Sequence, residues 1–398
     1  MGLKIGLVTG EFPPMEGGVG AFTHELACAL HDAGHEVHVI TSRLARPKTE
    51  KRQVRQLLEP VAMPFGWLHP QVRRWRWSSV GVVADLVLRY ELDVVNVQYQ
   101  PAAYNMRSAA VNFLPWRLKG MVKTAVTFHD LRVPYLFPKA GPLRRWVVHF
   151  MARQAHGVIA TNPADFAALK TAGIPHVREI PIGSNITVHQ VSPAEIAAAR
   201  TSLSLPEDGY LIGYFGFLNA SKGADLLVRA LAELDERVHL VFIGGRTGSS
   251  DTENNRTFLQ KIDQLIDSLG LNGRVHWTGF MPEREVSVWL RAVDLMVMPY
   301  RDGASLRRGT LMAALAHGTP LLTTEPSVPT PALKHGESVW LSPVDDVNGL
   351  VLALRLLLAD SGLRQRLGEG GTAVARAFAW DKIAAQTAEF FQFLLANT

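Results

Sequence analysis

Short apolar runs without alternation recur along this chain, each followed by a stretch in which apolar residues return every three or four positions. The first run is Ile5-Gly6-Leu7-Val8. Phe22, Leu26, Ala27 and Leu30 then repeat at helical spacing before Val37-His38-Val39-Ile40 opens a second run. An unbroken apolar run suits a strand buried on both faces, and the three- and four-residue repeat is one face of a helix. Runs at 94–97, 124–128, 158–160 and 177–182 predict further strands, with helices over 80–89, 102–114, 143–156 and 163–172 between them. Such alternation predicts a doubly wound parallel sheet whose ligands bind at the carboxyl ends of its strands.

The rhythm restarts after 184–206, a stretch with Pro193, an alanine-rich helical pattern and Pro206 that reads as a connection. Strands are expected at 210–216, 238–243, 275–280, 295–299 and 321–323, with a helix over 224–234 and another ending near Asp294. The fold class is therefore α/β with two Rossmann-like domains. The expected boundaries are 1–190 for the first, 191–375 for the second and 376–398 for a closing helix.

Composition fits a globular chain: 398 residues, 47% apolar and 19% charged. No apolar run reaches the roughly 18 residues a spanning helix needs. The first strand begins by Lys4, so no signal peptide is expected. Cys28, the single cysteine, lies on the apolar face of the first helix and fits a reducing cytoplasm. The net charge of +5 is uneven: residues 1–190 carry 22 Lys and Arg against 13 Asp and Glu, whereas 191–398 carry 19 against 23. A basic first half favours phosphate groups or anionic lipid. No nucleic-acid motif accompanies it, so nucleic acid is not expected as a partner.

Three places carry candidate chemistry. Gly17-Gly18-Val19-Gly20 opens the first helix, where unpaired N–H groups favour an anion and missing side chains allow close approach. His129 and Asp130 stand at the end of the 124–128 strand. In the second half, Lys222-Gly223 closes a loop that starts at Gly216, while Ser305, Arg307, Arg308, Gly309 and Thr310 stand at the start of a later helix. Paired guanidiniums at a helix start suit a diphosphate. Residues 67–77 and 143–146 mix arginines with tryptophans, a pattern for a membrane interface or a polyanionic acceptor.

Glu11-Phe12-Pro13-Pro14, Gly17-Gly18-Val19-Gly20, Gly34-His35-Glu36-Val37 and Ala316-His317-Gly318-Thr319-Pro320 together resemble family 4 retaining glycosyltransferases of the glycogen-synthase-like superfamily. The resemblance implies a GT-B fold: two Rossmann-like domains facing across a cleft, with the last helix crossing back onto the first domain. It implies transfer of a sugar from a nucleoside-diphosphate sugar to an acceptor hydroxyl, with retention at the anomeric carbon; the sequence holds no Asp-x-Asp motif, so no metal or other cofactor is expected. Lys222 matches the family's diphosphate-binding lysine, and Phe280 falls in the turn that cradles the base. His129 falls at the family's active-site strand end, with Asp130 beside it to orient the imidazole or the acceptor. Gly17, Gly18 and Gly20 are expected to bind the donor, and the acceptor is expected against the first domain, near them and His129.

Two departures stand out. Phe217 stands where the family has arginine, and the family's two glutamates fall on Ser305 and Ala313. Arg307 or Arg308 is expected to replace the missing cation, and Asp302 to contact a sugar hydroxyl. A saccharide, a small molecule or a lipid-linked acceptor is the implied second substrate, and the expected location is the cytoplasm with peripheral contact at the inner membrane face. The alternatives are a nucleotide-sugar epimerase and an inactive nucleotide-sugar-binding protein. No compact G-x-G-x-x-G supports a dehydrogenase.

Overall fold

Val8 and Val39 occupy neighbouring parallel strands because the runs that hold them are apolar on both faces and need cover on both. The computed structural model describes residues 2–15, 17–46, 59–104, 109–131, 133–134, 141–184, 186–206, 208–245 and 253–397, the side chains of 253–256 excepted. The chain divides into two units, Met1–Gly183 with Ala379–Thr398, and Ser184–Phe378.

The first unit runs β1 (Lys4–Thr9), α1 (Gly18–Asp32), β2 (Glu36–Ser42), β3 (Val61–Met63), β4 (Gly66–Val72), α2 (Trp77–Tyr90), β5 (Val94–Tyr99), α3 (Leu114–Leu118), β6 (Lys123–Phe128), α4 (Gly141–Gln154), β7 (Gly157–Ala160), α5 (Pro163–Thr171) and β8 (Val177–Glu179). Its sheet has the order β3-β4-β2-β1-β5-β6-β7-β8, parallel except for the edge strand β3. The order reverses between β1 and β5, so the loops leaving those strands diverge and open a crevice at the switch point.

The second unit runs α6 (Pro193–Ser202), β9 (Tyr210–Phe215), α7 (Ala224–Ala232), β10 (Val238–Ile243), α8 (Glu253–Ser268), β11 (Val275–Trp277), α9 (Glu283–Ala292), β12 (Leu295–Met298), α10 (Gly309–Ala316), β13 (Leu321–Thr324), β14 (Trp340–Ser342), α11 (Val347–Ala359) and α12 (Ser361–Ala377). Its all-parallel sheet, β11-β10-β9-β12-β13-β14, has its switch point between β9 and β12. The final helix, α13 (Trp380–Ala396), belongs to the first unit. Ile383, Ala384, Phe390, Phe391 and Leu394 bury against the layer of Phe22, Leu26, Ala27 and Leu30. Each of the larger side chains contributes roughly 1.5–3 kcal/mol by burial.

Three elements differ from the sequence pattern. The single helix expected over 102–114 is instead a 3-10 turn at Pro101–Tyr104, another at Ala110–Phe113, and the short α3; residues 105–108 lie outside the described residues. Pro115 has no N–H to donate and is tolerated only in a first turn, so a helix restarts at Leu114 rather than passing through. The strand expected to 182 stops at Glu179, two residues before Pro181. Residues 67–77, read as a basic aromatic surface, contribute most of β4. Trp75 is buried and donates its Nε1–H to the Gly10 carbonyl at 3.3 Å. Gly66 and Pro70 hide this strand in the sequence.

Candidate functional site

In the first unit the candidate residues gather at the ends of β1, β5 and β6. Glu11, just past β1, turns its carboxylate onto the start of α1. Its Oε1 accepts from the N–H groups of Val19 at 3.1 Å and Gly20 at 3.3 Å. Gly17 cannot cap with a side chain, so Glu11 supplies the anion that the helix dipole favours. A Cβ on Gly17 would lie 2.0 Å from that carboxylate, so any side chain there would push Glu11 from its present position. Burial raises the Glu11 pKa, and the two N–H bonds oppose the shift. The N–H groups of Val19 and Gly20, expected to meet a ligand anion, are therefore engaged internally. A ligand phosphate on them would have to displace a carboxylate, whereas Gly18 faces open space.

His129 follows β6 and is buried, 8% exposed, with the Phe22 ring edge-on at 4.7 Å. Its Nε2 lies 3.0 Å from the Gln98 amide oxygen, which can only accept. The imidazole thus carries its proton on Nε2 and offers Nδ1 as an acceptor. Gln98 is oriented in turn by Asn96, which exchanges hydrogen bonds with Thr127 at 3.0 and 3.1 Å. Burial pushes the His129 imidazole down to about 3, so it is neutral at physiological pH. Asp130, expected to orient this ring or the acceptor, accepts from Gln100 at 3.0 Å, and the side chain bonded to the imidazole is that of Gln98. Sequence reading missed Gln98 and Asn96 because they sit inside an apolar strand pattern.

In the second unit the loop after β9 turns at Gly216 (φ 114°) and Gly223 (φ 70°), both in the left-handed region that favours glycine. A Cβ on Gly223 would meet the Pro299 carbonyl oxygen at 2.0 Å. Buried Leu218 pins the loop from below. Arg301 staples it from the side, with a bidentate pair to Asp225 at 2.8 Å and a bond to the Ala220 carbonyl at 2.7 Å. Lys222 is thereby held half-buried, donating from Nζ to the Phe217 carbonyl at 2.8 Å. Desolvation first, and the Arg308 guanidinium second, lower its pKa from 10.5 to about 8, against the upward pull of Asp302.

The start of α10 stands beside this ammonium. An ideal Cβ on Gly216 would lie 3.7 Å from Lys222 Nζ and 2.9 Å from the Thr310 methyl, so loop and helix start meet at one point. No side chain caps α10, leaving its first N–H groups available to an anion. Arg308 lies flat on Tyr300, 4.0 Å from the ring centroid, and is ion-paired with Asp302. Tyr300 is in turn 3.3 Å from the Thr310 hydroxyl. Of the two arginines considered, Arg308 joins Lys222, while Arg307 is exposed. Asp302, expected to meet a sugar hydroxyl, is engaged by Arg308. Ser305 accepts from the Arg307 N–H at 3.4 Å, and Ala313 is fully buried on α10. Phe217 is 46% exposed and Phe280 88% exposed. Among the described residues no group of three or more His, Cys, Asp and Glu side chains is placed to hold a metal.

Residues 17–183 match the glycosyl transferase 4-like domain, and residues 195–374 match the glycosyl transferases group 1 family. A D-inositol 3-phosphate glycosyltransferase of Xylanimonas cellulosilytica is 31% identical over 236 residues, 56% of this chain and 52% of that protein. One of the same name from Streptomyces bingchenggensis is 31% identical over 215 residues, 52% of this chain and 46% of its own. The chain thus spans about half the length of these relatives. Two solved structures share its fold. HepE of Anabaena, in complex with UDP-glucose, has a TM-score of 0.70 at 19% identity, covering 98% of this chain and 100% of its own. Sucrose-phosphate synthase of Thermosynechococcus elongatus has a TM-score of 0.72 at 22% identity, covering 99% of each.

Proposed function

Since this chain belongs to the family 4 glycosyltransferases, with the two Rossmann-like domains of the GT-B fold, we propose that it transfers a sugar from a nucleoside-diphosphate sugar to an acceptor hydroxyl. The observation that carries this reading is the convergence of Lys222, Arg308 and the uncapped start of α10 at the switch point between β9 and β12. Breaking the sugar–phosphate bond builds negative charge on the diphosphate while the sugar becomes cationic. Fixed cations and N–H groups aimed at that charge lower the barrier, because they need no reorganisation during the reaction.

In this reading the diphosphate lies on Lys222 and the N–H groups of Gly309 and Thr310, with Arg308 supplying the charge that Phe217 does not. Ser305 and Phe280 flank the sugar and the base. These groups do the work a divalent ion would otherwise do, so turnover should survive chelation of metal. The neutral His129, able only to accept through Nδ1, suits an acceptor or donor hydroxyl rather than a departing phosphate. No acid/base carboxylate pair is assigned, and attack on the face the diphosphate leaves, assisted by that diphosphate, would retain the anomeric configuration.

The test is a panel of UDP-, GDP- and ADP-sugars with saccharide, polyol phosphate and lipid-linked acceptors, read as nucleotide release. Acceptor-dependent release with an unchanged anomer in the product supports the reading. Isomerised sugar without release identifies an epimerase. Tight donor binding with neither outcome identifies an inactive binding protein, as the loss of both family glutamates at Ser305 and Ala313 would allow.

A further inference from the structure

Three separate segments of the first unit bring their aromatic residues to one face. Trp77 opens α2, Phe113 closes the 3-10 turn before α3, and Trp146 and Phe150 lie one turn apart on α4. Their rings form a continuous chain: Trp77 to Phe113 at 5.0 Å, Phe113 to Phe150 at 4.9 Å, and Phe150 stacked on Trp146 at 5.1 Å. This ridge faces water, with Trp77 64% exposed, Trp146 49% and Leu143 43%. On α3, which packs against α2 and α4, Trp116 adds a further side chain at 55% exposure. Of the three tryptophans in 67–77, Trp75 is the one that goes into the core.

The charge around the ridge has one sign. Residues 66–84, 109–123 and 141–162 contain nine Lys and Arg and no Asp or Glu. The first carboxylate along α2 is Asp85, two turns beyond Trp77. Arg73, Arg74, Arg76, Arg117 and Arg145 are exposed.

We propose that this face is a docking surface for an anionic lipid bilayer, with the rings seated at the headgroup level and the guanidiniums on lipid phosphates. Charge complementarity selects an anionic partner, and the exposed ring chain selects a bilayer over a soluble polyanion, which offers phosphate or sulfate but no apolar layer. The inference uses only the first unit and is independent of the reaction proposed for the second.

The test is sedimentation of the full chain with vesicles of phosphatidylcholine alone, and of phosphatidylcholine mixed with phosphatidylglycerol. Binding is expected to the mixed vesicles and to weaken with salt. Trp77→Ala with Trp146→Ala should lower the partition coefficient at least about tenfold, and reversing Arg73, Arg74 and Arg76 to Glu should abolish binding. An unchanged far-UV circular dichroism spectrum and urea unfolding profile in both variants show that the first unit folds. Brominated lipid should quench the fluorescence of the wild type and quench the tryptophan double variant less. Absence of binding to the mixed vesicles overturns the proposal. So does binding that the tryptophan variant retains, or a preference for heparin that the vesicles do not compete.

Discussion

Replacing Lys222 by alanine removes the ammonium that the Gly216–Gly223 loop holds at the start of α10. If Lys222 were a solvated loop residue, its loss would cost diphosphate binding no more than a surface ion pair, about 0–1 kcal/mol or less than about fivefold. A half-buried cation bonded to a phosphate oxygen contributes about 1.5–3 kcal/mol, which is roughly tenfold to a hundredfold in Kd. The two cases also differ in pH dependence. With a pKa of about 8, roughly nine-tenths of the free protein carries the charge at neutral pH, and Kd should rise about tenfold per pH unit above 8. Isothermal titration with UDP, GDP and ADP across that range reads both quantities for whichever nucleotide binds. Lys222→Arg, charged throughout, should lose the alkaline limb; Lys222→Ala should lose both the limb and the affinity. An affinity within threefold of wild type in Lys222→Ala, or an alkaline limb surviving in Lys222→Arg, would refute the placement.

Removing the neighbouring charges should move the same limb in opposite directions: Arg308→Ala to higher pH, because a cation that depresses Lys222 is gone, and Asp302→Asn to lower pH. Gly223→Ala should destabilise the second unit by about 2 kcal/mol or more in urea, since its left-handed backbone and the Pro299 carbonyl leave no room for a Cβ. Acid should unfold the first unit early. His69 and His129 are both pushed by burial from 6.5 to about 3, so the unfolded chain takes up their protons first as pH falls. Stability is then complete above 6.5 and falls by about 1.4 kcal/mol per pH unit for each histidine between 6.5 and about 3. His129→Asn should flatten the slope of the urea midpoint against pH. Phe391→Ala should cost the first unit about 3–5 kcal/mol, because α13 packs its ring wholly inside.

The features legible in the sequence are those whose cause is local. Apolar runs marked the inner strands, and the glycines at 216 and 223 with Lys222 between them marked a loop with a cation at its end. What stayed hidden depends on side-chain contacts that no periodicity announces. Glu11 reaching forward to the start of α1, Gln98 holding His129 from another strand, and Tyr300 carrying Arg308 each require the fold before they can be named. The 67–77 segment shows both sides: its arginines and tryptophans advertise a surface, yet Trp75 turns inward and the rings that complete the ridge come from Phe113 and Phe150. The glutamates missing at Ser305 and Ala313 were legible as a departure, and buried Ala313 has no group to reach a ribose.

The most direct test of the account is a structure of the chain with a nucleoside diphosphate bound. The diphosphate oxygens are expected within hydrogen-bond distance of Lys222 Nζ and of the Gly309 and Thr310 N–H groups, with the Arg308 guanidinium beside them. A diphosphate that touches neither Lys222 nor the start of α10 would contradict it.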